Sequence, residues 1–358
     1  MSSLTFGYLL PTQDAAGERS DRIAALLELG AEAERQGFDT IWLPDSPFQY
    51  GLPDPLLVIA ALAARTHRVT LATGVLLAAL RQPALLAQQL ASLDALSRGR
   101  LRAGFGLGFR SPASKHQFET AGVPFVNRVA MAEEAIALMR ALWTAPGQPV
   151  SYTGQHIAVR DLVLSPAPSR TGGPPIWLAG AGAAAERRVG RLADGWLPYL
   201  PNARDYAEGW KRVQQAAANA GRTKPPVPAL YLTVSLDDSE RTAIRRLRAT
   251  VEGWYGRPFE MIASLQAMYA GTPHGLAACL EPYINAGLEH VVLRVADAPE
   301  RGLPTAAHAV QLLSVTTPTP AGLNPDHPDT GSRASRSRQP WSTGREPCPV
   351  AGRHSSPR

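Results

Sequence analysis

From residue 4 onward, eight short apolar runs rich in β-formers alternate with helical patterns, and this alternation constrains the fold of the 358-residue chain most. The runs span 4–10, 39–43, 69–77, 101–108, 175–180, 195–200, 227–235 and 290–296. Strands that alternate with helices build parallel sheets. Such strands are covered on both faces, so they read as near-continuous apolar stretches like VTLATGVLLA. Start signals mark the intervening helices: Ser20 and Asn202 as caps, and Asp54-Pro55, Gln82-Pro83 and Thr272-Pro273 with Pro where its missing N–H costs nothing. Eight units suit a closed barrel or a long doubly wound sheet. The count, and a length that accommodates the about 250 residues a barrel needs, favour an α/β fold of the (β/α)8 TIM-barrel type.

Two departures from a minimal barrel are expected. Residues 149–165 read as a small β-hairpin insertion around Thr153-Gly154, and 236–271 is long enough for two helical pieces. The barrel domain then covers 1–317. The C-terminal tail, 318–358, holds eight Pro and six Arg against three acidic residues, and reads as disordered because it cannot bury enough apolar surface to offset its ordering entropy. The net charge of +6 is half accounted for by this tail. The rest has no basic stripe, which argues against a nucleic-acid partner. Two distant cysteines, Cys279 and Cys348, make neither a disulfide framework nor a zinc site. No leader pattern and no run of 18 apolar residues is present, so a cytoplasmic location without a membrane partner is expected.

In such barrels chemistry sits at the C-terminal ends of the strands. Four loops there are informative: 43–48, 72–75, 104–109 and 178–183. In the last, Ala179, Gly180, Ala181 and Gly182 lead a strand into a helix, a geometry that binds phosphate at the helix N-terminus. Its G-x-G-x-x-A form lacks the acidic residue a dinucleotide fold wants about 20 positions on, since Asp194 comes too early. A tight turn without a ligand is the alternative reading of the pattern. Gly104, Gly106 and Gly108 share one strand face and either admit a bulky neighbour or clear room for a flat ligand. Gly74 suggests a bulge or a close backbone approach. Asp45 and Asp297 are too few for a metal site, and the eight His read as surface or capping residues. A glycine-rich mouth poor in acid–base groups suits a cofactor that brings its own reactivity.

These loops, in order and at their separations, resemble the luciferase-like monooxygenase family of FMN- and coenzyme F420-dependent oxidoreductases. The segments are GFDTIWLPD at 37–45, the stretch 69–109, and PPIWLAGAGAAAERRVGRLADGWLP at 174–198, with Phe118, Arg128 and Glu134 also matching. The resemblance implies cofactor contacts at Asp45, at Thr73, Gly74 and Val75 with a cis Gly74–Val75 peptide, at Gly106, Gly108 and Phe109, and at 179–182. It implies hydride transfer between coenzyme F420 and a small-molecule substrate, with reduced FMN and oxygen, or a catalytically silent flavin binder, as alternatives. The family's His after the strand-two Asp is Ser46 here, and its Glu after the strand-four glycines is replaced by Phe109 and Arg110. Ser46, Asp45 and Arg110 are therefore the catalytic candidates, and Gln13, Phe48 and Tyr50 the substrate-pocket candidates. Leu10, Trp42, Leu76 and Phe109 complete the expected apolar wall. A homodimer through helices 55–65 and 83–96 is also expected.

Overall fold

The computed structural model describes residues 4–12, 19–48 and 51–316. Its strands are β1 (Thr5–Leu9), β2 (Thr40–Leu43), β3 (Thr70–Thr73), β4 (Leu76–Leu77), β5 (Leu101–Gly106), β6 (Pro149–Thr153), β7 (Ala158–Val163), β8 (Ile176–Ala179), β9 (Gly195–Leu197), β10 (Val227–Leu236), β11 (Ala267–Gly271) and β12 (His290–Val295). The helices are α1 (Arg19–Arg35), α2 (Pro55–Arg65), α3 (Pro83–Leu96), α4 (Pro112–Thr120), α5 (Arg128–Thr144), α6 (Ala183–Leu192), α7 (Ala203–Asn219), α8 (Glu240–Tyr255), α9 (Phe259–Ala263), α10 (Gly275–Asn285) and α11 (Pro299–Thr316). Strands β1, β2, β3, β5, β8, β9, β10 and β12 pair in parallel in that order, and β12 closes the ring on β1 with Thr5 opposite His290. These are the eight apolar runs. The fold is a TIM barrel.

Asp54 caps α2 and Gln82 caps α3, each followed by Pro at the helix start, and Asn202 caps α7. Two start signals mislead: α1 already begins at Arg19, and α10 begins only at Gly275, beyond Pro273. The run 69–77 is not one strand. It stops at Thr73, passes the cis Gly74–Val75 peptide, and resumes as β4 beside β5. Segment 236–271 holds its two helices and also β11, which the sequence does not announce. That strand pairs with residues 232–236 of β10, whereas β9 pairs only with Val227 and Pro228. The hairpin β6–β7 is antiparallel and docks on α5, where the Glu134 carboxylate accepts from the backbone N–H groups of Gln155, His156 and Ile157. Among the described residues no helix is long and apolar enough to cross a membrane.

The main core lies between the strands and their helices, where Ile41, Leu62, Leu90, Met139 and Leu293 are fully buried. Each such side chain contributes roughly 1.5–3 kcal/mol. A second core fills the barrel itself: Leu9, Trp42, Ala72, Trp177, Leu197, Ala229, Tyr231 and Val292. The two indoles meet at 5.4 Å between ring centres. They fit because strand neighbours are glycines: a Cβ on Gly7 would lie 2.3 Å from Trp42, and one on Gly195 2.2 Å from Trp177. The Arg102 guanidinium sits 4.2 Å from the Trp177 ring, and burial pushes its pKa down to about 10.

His290 belongs to this floor and is neither a surface nor a capping residue; it is 1% exposed. Its place on an inward-facing strand position explains the burial. The Trp42 indole N–H donates to Nε2 at 3.1 Å, so the neutral ring carries its proton on Nδ1, which lies 2.8 Å from Thr5 Oγ1. Burial, then Arg102, hold its pKa well below the usual value. The unfolded chain therefore takes up a proton below about pH 6.5 that the folded ring refuses, and stability falls as the pH falls through that range. The melting temperature is expected to drop between pH 7 and pH 5, with up to about 2 kcal/mol of that loss due to this ring. Calorimetry of His290→Gln should show a smaller drop over the same interval.

Candidate functional site

The C-terminal ends of β1, β2, β3 and β12, with Tyr231 from the middle of β10, surround an open cleft lined by Leu9, Leu10, Pro11, Pro44, Gly74 and Val295, with Thr12, Tyr231, Trp254 and Arg294 as its polar members. Its empty space is about 420 Å³ including the solvent-open mouth. Gly74 forms part of the wall. Behind it lies Trp42, which a Cβ at position 74 would meet at 3.0 Å. Trp42 and Leu76 are thus core residues under the wall rather than parts of it, while Leu10 does line the cleft. Phe48 and Phe109 are exposed at the rim, and Phe109 packs edge-on against Tyr199 at 5.6 Å. Gln13 and Tyr50 lie outside the described residues.

The catalytic candidates separate into different roles. Asp45, its side chain 3% exposed, is gripped by Arg81 at 2.6 and 3.2 Å and accepts from the Leu77 backbone N–H at 2.9 Å. Arg81 also reaches Asp54 at 3.1 Å. The carboxylate thereby locks the end of β2 to the segment that follows the Gly74–Val75 peptide. It acts as a brace, with its oxygens spent on protein donors. Ser46, half-buried, donates to Gln117 at 3.1 Å. Arg110 is exposed, and its charge helps to lower the pKa of Arg128, after burial and together with Arg188.

The glycines of β5 are explained by the chain itself. A Cβ on Gly104 would lie 2.1 Å from the Thr73 carbonyl oxygen, and one on Gly106 2.3 Å from Val75 Cγ2. Gly108 has left the strand at φ +75° and faces Phe118, so it does not share their face. The bulky-neighbour alternative therefore accounts for these positions. Thr73 is buried and bridges the broken ladder: its hydroxyl donates to the Gly104 carbonyl at 2.8 Å and accepts from the Gly104 N–H at 2.9 Å. Together these contacts hold the 74–75 peptide between Trp42 and β5.

The turn after β8 is open where the β5 glycines are filled. Gly180 and Gly182 have φ values of +136° and +87°, which only glycine adopts cheaply, and nothing lies within 4 Å of a Cβ placed on Gly182. Residues 181–184 are exposed, and the first turn of α6 leaves N–H groups without helical partners. One is used locally: the Gly182 N–H donates to the buried Glu186, whose charge Arg212 meets at 2.5 Å. The remaining first-turn amides and the positive end of the helix dipole stay exposed here.

A polar ring stands at the opposite wall, and sequence reasoning missed it. Arg294, inside the barrel, donates to Tyr255 at 2.8 Å and stacks on the Trp254 ring at 3.6 Å. The Tyr199 hydroxyl lies 2.8 Å from that of Tyr255, and the Tyr231 ring packs 4.9 Å from the Tyr199 ring. Burial pushes the Tyr231 phenol up to about 12 against the pull of Arg294 and Tyr199. A signal was available: Arg294 is a charge inside the apolar run HVVLRV, at a position whose parity with His290 turns it inward. Among the described residues no cluster suits a metal ion.

Replacing Arg81 by Ala strands the Asp45 carboxylate in a buried site and is expected to cost about 3–5 kcal/mol of unfolding free energy, read by urea denaturation. Ser46→Ala, which removes one half-buried hydroxyl, should cost no more than about 1 kcal/mol in the same titration. Equal losses would remove the brace assigned to Asp45.

Comparison with known proteins agrees with this architecture. An F420-dependent glucose-6-phosphate dehydrogenase of Nocardia farcinica is 29% identical over 303 residues, covering 77% of this chain and 89% of the relative. The solved structure of an F420-dependent secondary alcohol dehydrogenase with an F420–acetone adduct superposes with a TM-score of 0.73 at 19% identity, over 87% of this chain and 99% of that one. The oxygenating constituent of 3,6-diketocamphane monooxygenase from Pseudomonas putida, in complex with FMN, also gives 0.73, at 17% identity over 89% and 100%. The luciferase-like monooxygenase family matches residues 4–283, and with that span the chain belongs to this family of oxidoreductases.

Proposed function

We propose that the chain transfers hydride between coenzyme F420 and a small organic substrate. The observation that carries this is the pairing, at one barrel end, of an apolar cleft walled by Gly74 with the exposed, glycine-led N-terminus of α6. That donor set fits a flat ring with a phosphorylated arm. Bound there, the deazaflavin would supply a two-electron donor or acceptor at its C5. The α6 amides at 181–184 would hold the phosphate, and Gly74 and Val75 would border the ring through the backbone. Leu9, Leu10 and Val295 would exclude water, leaving positioning as the protein's main contribution. Relatives matched over most of this chain are F420-dependent by name, which favours the deazaflavin.

The second reading is oxygenation with reduced FMN, favoured by the FMN-bound structural neighbour. Fluorescence titration of the purified protein separates the two. F420 is expected to bind with FMN at least about tenfold weaker, a difference of about 1.4 kcal/mol. Stoichiometric uptake of FMN with no affinity for F420 would reverse the choice. Ala184→Asp, which sets a negative charge on the helix start, is expected to weaken F420 binding by about five- to tenfold.

A homodimer through α2 and α3 fits the same picture. Leu57 is 74% exposed and Leu85 59%, apolar side chains on helices that bury their other faces. Light scattering is expected to give twice the chain mass, and Leu57→Asp combined with Leu85→Asp should halve it. A wild-type monomer at tens of micromolar would end the dimer reading.

A further inference from the structure

We propose that the substrate is a small carboxylic acid whose carboxylate is bound by Arg294 and Thr12. This names the substrate class for the hydride-transfer reading above and rests on that reading.

Charge and geometry at the cleft carry the argument. Among the described residues that line it, Arg294 alone carries a charge, and none is acidic. The guanidinium is held in one orientation. Trp254 stacks on its face at 3.6 Å, and its Nη1 donates to the Tyr255 hydroxyl at 2.8 Å. A guanidinium stacked in this way keeps its N–H groups in the plane, where their fork matches the two oxygens of a carboxylate. Little side-chain entropy is then left to lose when a ligand arrives. Strand pairing sets the height of the group in the barrel: Tyr8 stands opposite Leu293, so Arg294 sits one step further up, beside Leu9.

A second observation, independent of charge, lies just past the end of the neighbouring strand. Thr12 also lines the cleft, is 5% exposed, and its hydroxyl has no hydrogen-bond partner among the described residues. A hydroxyl sealed from water without a partner costs about 1–3 kcal/mol, which an acceptor oxygen from a ligand would recover. A carboxylate has lone pairs enough for the guanidinium and the threonine together. The balance of charge selects carboxylate over phosphate. One guanidinium offsets one negative charge, whereas a phosphate monoester carries about 1.5–2 at pH 7. Leu9, Leu10, Pro11, Pro44 and Val295 then take the hydrocarbon part of the acid. In this arrangement the carboxylate is a handle. It orients the substrate against the ring that Gly74 would border, and takes no part in the hydride exchange.

The test titrates the purified protein, with and without bound F420, using cyclohexanecarboxylate and cyclohexanecarboxamide, which share a shape and differ in charge. Calorimetry is expected to show the acid binding at least about tenfold tighter than the amide. Arg294→Met should bring the two within about threefold, and Arg294→Lys, which keeps the charge, should retain part of the preference. Thr12→Val, which removes only the hydroxyl, should weaken the acid by about three- to tenfold, and Thr12→Ser should restore it. An arginine with a purely structural role would move both ligands together and leave their ratio alone. Cyclohexyl phosphate is expected to bind no tighter than the acid. The proposal is overturned by any of four results: acid and amide of equal affinity in the wild type, no binding of the acid at millimolar concentrations, an unchanged ratio in Arg294→Met, or a clear preference for the phosphate. F420 affinity of each variant, read separately by fluorescence, checks its fold. A wild type that selects the acid yet binds no F420 keeps the carboxylate site and sinks the hydride-transfer reading instead.

Discussion

The filling of the barrel by Trp42 and Trp177 is the constraint on which the rest of the structure depends. Eight parallel strands enclose a space that side chains must occupy. Here two mutually tilted indoles occupy it, and the neighbouring strands yield at Gly7 and Gly195 to let them in. Arg102 and His290 complete the floor with their polar atoms turned toward aromatic faces and the Trp42 N–H. A plugged floor leaves one end of the barrel for binding. Trp42 also backs Gly74, so the same side chain that closes the interior sets the depth of the cleft above it.

The two sides of that cleft are made from different materials. On the β3–β8 side the groups left accessible are backbone: the 74–75 peptide and the first amides of α6. Side chains there serve the backbone, Thr73 by bridging to Gly104 and Asp45 by tying β2 to the chain beyond Val75. On the β10–β12 side stand side chains instead: Arg294, Tyr255 and Tyr199 joined by hydrogen bonds, with the Tyr231 ring packed on Tyr199. Backbone contacts recognise what all ligands of one type share. Side-chain networks discriminate among them, because an unmet donor or acceptor is costly.

The strands and most helix starts were legible because apolar runs and Pro-led caps are local signals. Strand β11 was not: its sequence AMYAG is short, and its place follows from a gap beside β10 that only the closed barrel creates. The loops that carry the site were legible as glycine-rich strand ends, yet their glycines served different needs. Gly182 opens onto solvent, whereas Gly106 accommodates Val75. Spacing alone does not separate these, since both read as a missing side chain. The role of Asp45 was obscured for a similar reason, because its partner Arg81 lies 36 residues away along the chain. His290 departs from a surface or capping role because inward parity at the start of β12 places it beneath Trp42.

The excursion between β10 and α10 has a separate consequence. Strand β11 wedges beside the outer half of β10, and the end of α8 brings Trp254 to the cleft and Tyr255 to Arg294. Ion pairs from Arg246 to Asp237 and Asp297 fasten this excursion to the barrel rim. The floor shares none of these residues. Lengthening, shortening or exchanging segment 237–266 would therefore reshape what enters the mouth while leaving the load-carrying interior alone, so this one loop is where descendants of the chain can change diet without rebuilding the scaffold.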